Sequence, residues 1–488
     1  MPAELWSRSL MSVVENAQPD PSAQQRLEAL LERHAARGKP APDSGRILLR
    51  GGSVLSMDGE VGDFAVGDVL IEGDRITEVG PSISAPDAVV VDARDHIVMP
   101  GFCDPHIHCW EGSLGRLIPE NIPQTTEDAV GGAPVSSRSY MYAAHRAFAP
   151  ACRPEDIYAG TLNTLLAALN GGITTVVDNM HNARSPEHSD AGVEALLASG
   201  VRGIHATGRP RAGTWAETFP ADARRLRDRY FSGDDDLCSM RLYAAGSDDL
   251  TDLIPVRKEL DVWFSFDSGI EQQDLAQLYS DGSFDGREAI NHANFLSSEQ
   301  RQIVIDNGAQ VNVCPRIESQ FRYGQIPYNE WVEQGLRPGL SNDNPMTYAI
   351  DMFAEMRALY LVQRLDRNRF ESASATLREI LSSATQQGAN NCGVGEITGS
   401  LTPGKKADVI LVDTSAPHLY PRNNVPTTVV QGAGVESVTA VLVNGRIVKW
   451  DGRLIGVDLD EARRRVQESH VYLTGTVSWP HSAIDFDE

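Results

Sequence analysis

The chain has 488 residues, 41% of them hydrophobic and 23% charged, a balance ordinary for a folded protein and a length beyond what one core normally serves. Its formal net charge of -24 argues against nucleic acid as a partner, because neutralising phosphates needs concentrated Lys and Arg. No apolar run reaches the roughly 18 residues of a membrane span, no leader-like segment opens the sequence, and Cys103, Cys109, Cys152, Cys238, Cys314 and Cys392 show no C-x-x-C spacing; a disulfide framework is not indicated, and a cytoplasmic location away from membranes is expected.

Residues 1–44 are read as a helical extension, with Leu27, Leu30 and Leu31 spaced i, i+3, i+4 and a linker from Gly38 to Gly45. That helix is open to docking on its own chain or on a second subunit, and a homo-oligomer is expected. Residues 45–97 change to short strands (Ile47–Leu49, Ser53–Leu55, Asp68–Ile71, Arg75–Val79, Val89–Val91) separated by Gly51-Gly52, Gly73-Asp74 and Gly80-Pro81. A matching β-rich group lies in residues 399–457, at Lys406–Asp413 and Ala440–Val448, so the two flanks are expected to pair as one discontinuous β-sandwich domain. Residues 458–488 are assigned to a C-terminal helix and tail.

Between the flanks, residues 98–398 repeat a helix, a glycine and a β-rich run. Asp156–Asn170 leads through Gly171-Gly172 to Ile173–Asp178, Gly192–Gly200 to Val201–Ile204, Ser297–Gly308 to Ala309–Val313, and Glu330–Gly335 to Arg337–Leu340. The expected fold class is α/β, a (β/α)8 TIM barrel; a doubly wound sheet is the alternative, without a G-x-G-x-x-G to support it.

Function is expected where such strands end, at their C-terminal tips. In Pro100-Gly-Phe-Cys-Asp-Pro-His-Ile-His108 strand alternation points His106 and His108 to one side and Ile107 to the other. By the same alternation Cys103 and Cys109 face away from the pair and are read as packing residues. Asp178-Asn-Met-His181 follows the second strand and is as readily a loop closure as a site. His292 and Asp343 each follow a short apolar run. Two imidazoles, a third and a carboxylate at strand ends make a plausible site for one divalent metal, Zn²⁺ ahead of Fe²⁺, with Asp343 as proton carrier.

At these residues the chain resembles the amidohydrolase superfamily, in its cytosine-deaminase-like and chlorohydrolase-like branch. The resemblance spans about residues 46–457 and rests on the stretch Pro100–His108 with Trp110, and on Gly172-Ile-Thr-Thr-Val-Val-Asp178 with Ser185-Pro-Glu-His188. Further along it rests on His292 with Leu296-Ser-Ser-Glu299, on Pro338-Gly-Leu-Ser-Asn-Asp343 with Asp351–Arg357, and on Gly399–Asp413. It implies a barrel beside a β-sandwich, His106 and His108 as metal ligands, Asp343 as ligand and proton shuttle, and His292 as the group that polarises water or substrate. The family generally has a histidine ligand on the fifth strand, followed three residues later by glutamate in deaminases. Here Leu260–Gly269 puts Ser265 and Ser268 at those places, so the remaining ligand is Asp267, or His292 swung inward, or the metal is weakly held.

The pocket is expected to use the stretch after the seventh strand, Cys314–Gly324. Arg316 and Arg322 are candidates for a substrate carboxylate, Glu318 for a polar contact, and Trp110 and Tyr323 for stacking on a planar ring. The leading expectation is hydrolysis of a C–N bond, with C–Cl second, in a small cyclic or aromatic, carboxylate-bearing compound. A lyase on the same fold and a metal-poor binding protein are the alternatives.

Overall fold

In the computed structural model the residues described are 41, 45–118, 140–210, 219–233, 237–245, 249–267, 272–321, 323–365 and 375–479; the expected N-terminal helix, Ser268 and Arg322 lie outside them. The chain divides into two units, 1–42 and 43–488, and every element below belongs to the second.

Five strands come first: β1 (Arg46–Val54), β2 (Phe64–Glu72), β3 (Arg75–Gly80), β4 (Val89–Asp92) and β5 (His96–Pro100). Eight more follow with intervening helices: β6 (Phe102–Ile107), β7 (Ile173–Met180), β8 (Arg202–Gly208), β9 (Cys238–Ala244), β10 (Phe264–Asp267), β11 (Glu288–Asn291), β12 (Gln310–Val313) and β13 (Gly339–Leu340). The last four are β14 (Val409–Asp413), β15 (Val438–Val443), β16 (Arg446–Trp450) and β17 (Arg453–Leu454).

The first five and last four strands form one mixed sheet, ordered β17-β16-β15-β14-β5-β1-β2-β3, with β4 on β1. The two flanks join where β14 runs antiparallel to β5, from Val409 opposite Pro100 to Asp413 opposite His96. Alternation along β14 explains why it reads as a continuous apolar run. Val409 and Leu411 enter the sheet's own core with Ile47, Leu49, Val69 and Ile71, while Ile410 and Val412 enter the large core shared with the barrel. The apolar stretch Ala440–Val448 is two strands, because Asn444 and Gly445 adopt φ of 52° and 74° and turn the chain back.

Strands β6 to β13 form an eight-stranded sheet in sequence order. It closes where Ile107 bridges Asp343 in parallel fashion, through Asp343 N–H to His106 O (3.0 Å) and His108 N–H to Asp343 O (2.8 Å). The barrel is thus sealed by the backbone of residues expected to hold the metal.

The helix Pro154–Asn170 starts two residues earlier than its periodicity indicated, with Pro154 in its first turn. Ser297 caps the helix Ser298–Asp306 in a reciprocal pair with Gln300. Inside the barrel, Ala389 and Cys392 at the end of helix Gln386–Asn391 pack on Cys103, Val177, Ile204, Ala206 and Tyr243.

Cys103 corrects the alternation argument. Asp104 pairs with Val176 and Ile107 with Asp178, so three residues of β6 span two of β7. This bulge resets the parity, and Cys103 faces the barrel interior, the same side as His106.

At the barrel's other end Arg202 on β8 holds Asp408 through two hydrogen bonds of 2.7 and 3.1 Å, and Asp408 also accepts from Asn444 N–H. The helix Leu459–Thr476 places Leu473, and Trp479 beyond it, in a cluster with Trp110, Leu114 and Phe148. Its His470 ring meets Ser113 O at 3.1 Å. Among the described residues no helix is long and apolar enough to cross a membrane.

Candidate metal centre

Two barrel strands, β6 and β11, aim three imidazoles at the one carboxylate that follows β13. His106 Nε2 and His108 Nε2 lie 3.4 and 3.5 Å from Asp343 Oδ1, and His292 Nε2 lies 3.8 Å from Asp343 Oδ2. The His106 and His108 rings meet edge to face at 4.9 Å, and His106 and His292 likewise at 5.1 Å. Both His292 and Asp343 sit at positive φ, 54° and 65°, which turns each side chain back over the mouth as its strand ends.

The outer contacts decide which ring nitrogen is free to bind. His108 Nδ1 lies 2.9 Å from the carbonyl of Asn179, a pure acceptor, so Nδ1 carries the proton and Nε2 the lone pair. His106 Nδ1 lies 2.9 Å from Asn179 Nδ2, which donates to it; exchanging the oxygen and nitrogen of that amide, which have the same shape, would make Nδ1–H the donor and leave the lone pair on Nε2. That Nε2 is buried and faces only Asp343 Oδ1, at 3.4 Å. Burial, then the neighbouring His106, push the pKa of His108 down and favour its neutral, ligating form. Asp343 is also buried, which alone would raise its pKa, yet the His106 hydrogen bond and the three imidazoles bring it down to about 2. Two imidazoles whose Nε2 atoms face one ionised carboxylate are a donor set that fits a divalent cation.

Asp104 ties this arrangement to the barrel wall. Its carboxylate accepts from Ser341 Oγ (2.6 Å), Asn342 Nδ2 (2.7 Å) and His106 N–H (3.2 Å), linking β6 to the segment that carries Asp343. Glu318, fully buried, lies 3.1 Å from His292 Nδ1 and also accepts from Cys314 N–H. Burial alone would lower the pKa of His292; Glu318 and Asp343 outweigh it and raise it to about 9.

Asp267, not Ser265, is the residue that the fifth strand presents at the mouth. Its carboxylate accepts from Tyr243 OH (2.5 Å) and Asn291 Nδ2 (3.1 Å). Burial opposes its charge, but His106, His292 and His108 together draw its pKa below the usual range. Ser265 lies two residues back along the strand, bonded at 3.0 Å to the buried guanidinium of Arg241.

Several substrate-contact expectations need correction. Arg316 is committed elsewhere: Nε to Glu355 (2.5 Å), Nη2 to Asn342 Oδ1 (2.8 Å) and to Ala349 O (3.0 Å), with Tyr348 under its plane. Glu318 holds His292. Trp110 is 2% exposed and fills an apolar cluster, touching the site through a ring contact with His181 at 5.9 Å. Tyr323 is brought to the mouth, edge to face with His292 at 5.7 Å and stacked on Phe321 at 5.4 Å.

The structure draws in Asn179 and His181, from the stretch left open between loop and site, and adds Tyr243 and Glu111, which the sequence reading passed over. Asn179 and Tyr243 carry the contacts above, and His181 stacks on His108 at 4.3 Å. Glu111 is buried with Tyr140 OH on one oxygen (2.7 Å); burial raises its pKa well above the usual range, so it is held protonated. Asn179 had a signal, lying two residues past inward-facing Val177 on a strand that runs on to Met180. Tyr243 had none.

Known proteins place this geometry. The model of the amidohydrolase family matches residues 97–231 and 258–448. A 5-methylthioadenosine/S-adenosylhomocysteine deaminase of Desulfitobacterium hafniense is 25% identical over 87% of this chain and 97% of its own length. Among solved structures, a zinc-bound adenosine deaminase of Xanthomonas campestris aligns with a TM-score of 0.76 at 20% identity, over 89% of this chain and all of its own. A zinc complex of atrazine chlorohydrolase from Arthrobacter aurescens aligns with a TM-score of 0.73 at 20% identity, over 87% of this chain and 100% of its own. With two thirds of its length under one family model, the barrel and the flanking sheet in place, the chain belongs to the amidohydrolase family and is a hydrolase of that type.

Proposed function

We propose that the protein removes an amino group from a small cyclic or aromatic substrate by hydrolysing its C–N bond, using one divalent metal, zinc ahead of iron, held by His106, His108 and Asp343. The observation that carries the reading is the convergence of three imidazole Nε2 atoms on the Asp343 carboxylate within 3.4 to 3.8 Å, with His106 Nε2 lacking any other partner. His292 faces the same carboxylate from β11, and its Nε2 groups with His106 and Asp343 closely enough to share an ion. A divalent ion bound there supplies Lewis acidity and acidifies a water molecule.

The chain's own groups do the rest. Asp343, ionised well below neutral pH, accepts the proton of the attacking water at a carboxylate oxygen and passes it to the departing nitrogen. His292, steadied at Nδ1 by Glu318, directs Nε2 at the same place and polarises the substrate. Tyr323 and Phe321 form an aromatic wall beside His292 for a planar ring. The deaminase named above acts on adenine-containing compounds by its name, which supports a purine-like ring as the first class to test.

The test is a panel of amino-substituted and chloro-substituted purines, pyrimidines and triazines, with and without a carboxylate, assayed for ammonia and chloride release by the zinc-reconstituted enzyme in ¹⁸O-water. Label in the product together with ammonia is expected. Turnover without label would replace hydrolysis by elimination, and chloride release without ammonia would move the reading to C–Cl cleavage.

A further inference from the structure

Below the mouth the barrel interior is unusually polar, and its carboxamides are ordered. Gln387 Nε2 donates to Asn391 Oδ1 (2.8 Å), Asn391 Nδ2 to Asn312 Oδ1 (2.6 Å), Asn312 Nδ2 to Asn291 Oδ1 (2.8 Å), and Asn291 Nδ2 to Asp267 Oδ1 (3.1 Å). Four amides from three elements, the helix Gln386–Asn391 and strands β12 and β11, run in single file from the barrel floor to the fifth-strand carboxylate. Asn291, Asn312 and Asn391 are all fully buried.

The direction of the file is fixed by its end. An ionised carboxylate only accepts, so Asn291 must turn its NH₂ to Asp267 and its oxygen to Asn312. Asn312 must then donate to Asn291 and accept from Asn391, whose NH₂ is also held by Val311 O at 2.7 Å. Every dipole therefore points its positive end at Asp267, and bonds in such a chain polarise one another. The backbone makes room for it: a Cβ on Gly339 of β13 would lie 2.5 Å from Asn391 Nδ2 and 3.0 Å from Asn312 Oδ1. Tyr243 OH closes the other oxygen of Asp267.

We propose that the Asn391–Asn312–Asn291 file is a positioning device that holds Asp267 as the fifth-strand anionic contribution to the metal centre. The inference rests on the metal reading given above. It makes Asn291, Asn312 and Asn391 positioning residues, acting on the metal only through Asp267. Outer partners of metal-directed groups typically matter by about ten- to a hundredfold in affinity.

The experiment is a double-mutant cycle read as zinc affinity, by competition with a chromophoric chelator on the full chain. Asn312→Leu is expected to weaken zinc binding about tenfold or more, and to have no further effect in an Asp267→Ala background. Asn312→Asp, equal in size and still able to accept from Asn391 but not to donate to Asn291, is expected to do the same and serves if the leucine variant does not fold. Unchanged zinc affinity in either folded variant, or the same loss with and without Asp267, overturns the positioning role. His106→Ala run alongside separates the two readings. If it leaves zinc binding intact, the metal centre itself is misassigned; if it abolishes binding while Asn312→Leu does nothing, only the amide file falls.

Discussion

Strands β6, β11 and β13 end in side chains that face one another, whereas β10 ends in a carboxylate whose two oxygens are both taken by protein donors. The first group is set by its facing side chains. The second is set by its own hydrogen bonds. The difference teaches that the proposed centre is a tripod of two imidazoles and Asp343 with a separately anchored charge on the fifth strand, rather than four equal ligands.

The largest effect should come from the tripod. His106→Ala is expected to remove stoichiometric zinc, measured by elemental analysis, and to lower kcat/KM by about a thousandfold or more. Retention of zinc and turnover would dissolve the contrast between the two halves. Asp343→Asn keeps the shape but loses the proton carrier, so kcat should fall about a hundredfold or more with KM little changed. Glu318→Gln acts through His292. In the metal-free protein His292 has a folded pKa near 9 against 6.5 in the unfolded chain, so its stabilisation is full below pH 6.5 and lost as pH rises through 9. The variant should flatten that decline in thermal melts between pH 6 and 10; an unaltered slope would count against the Glu318 contact as its source.

The smallest effect lies outside both halves. Glu111 is protonated in the fold and ionised above about pH 4.5 when unfolded, so it destabilises progressively as pH rises. Glu111→Gln should leave melting at pH 4 unchanged and raise it at pH 8. Equal melting at both would show Glu111 ionised in place.

The barrel was legible because a helix, a glycine and an apolar run repeat, and each repeat carries its own local signals, such as Ser297 with Gln300. His106, His108, His292 and Asp343 were legible because each ends an apolar run, where a barrel gathers its chemistry. Cys103 was misread because a one-residue bulge, invisible in composition, reverses parity along β6. Ser265 was taken for the fifth-strand position because a four-residue strand offers no marker of where it stops. Arg316 looked available because its acceptors, Glu355 and Asn342, are distant in sequence. Arg322 lies outside the described residues, and its assignment as a carboxylate partner stays a proposal for the substrate panel.

The antiparallel contact of β5 with β14 bears on how the protein is made. β5 leads into the strand that carries His106, separated from it by Gly101 alone, and its partner is synthesised more than 300 residues later. While the chain emerges from the ribosome, β5 has its β1 neighbour but not β14, and β6 lacks, until Asp343 appears, the neighbour that seals the barrel. The wall behind Trp110 waits longer still, for Leu473 and Trp479. Pairings this remote in sequence form slowly. The two histidines are translated about 230 residues before Asp343 and about 360 before Leu473, so the metal binding proposed for them would follow the synthesis of both.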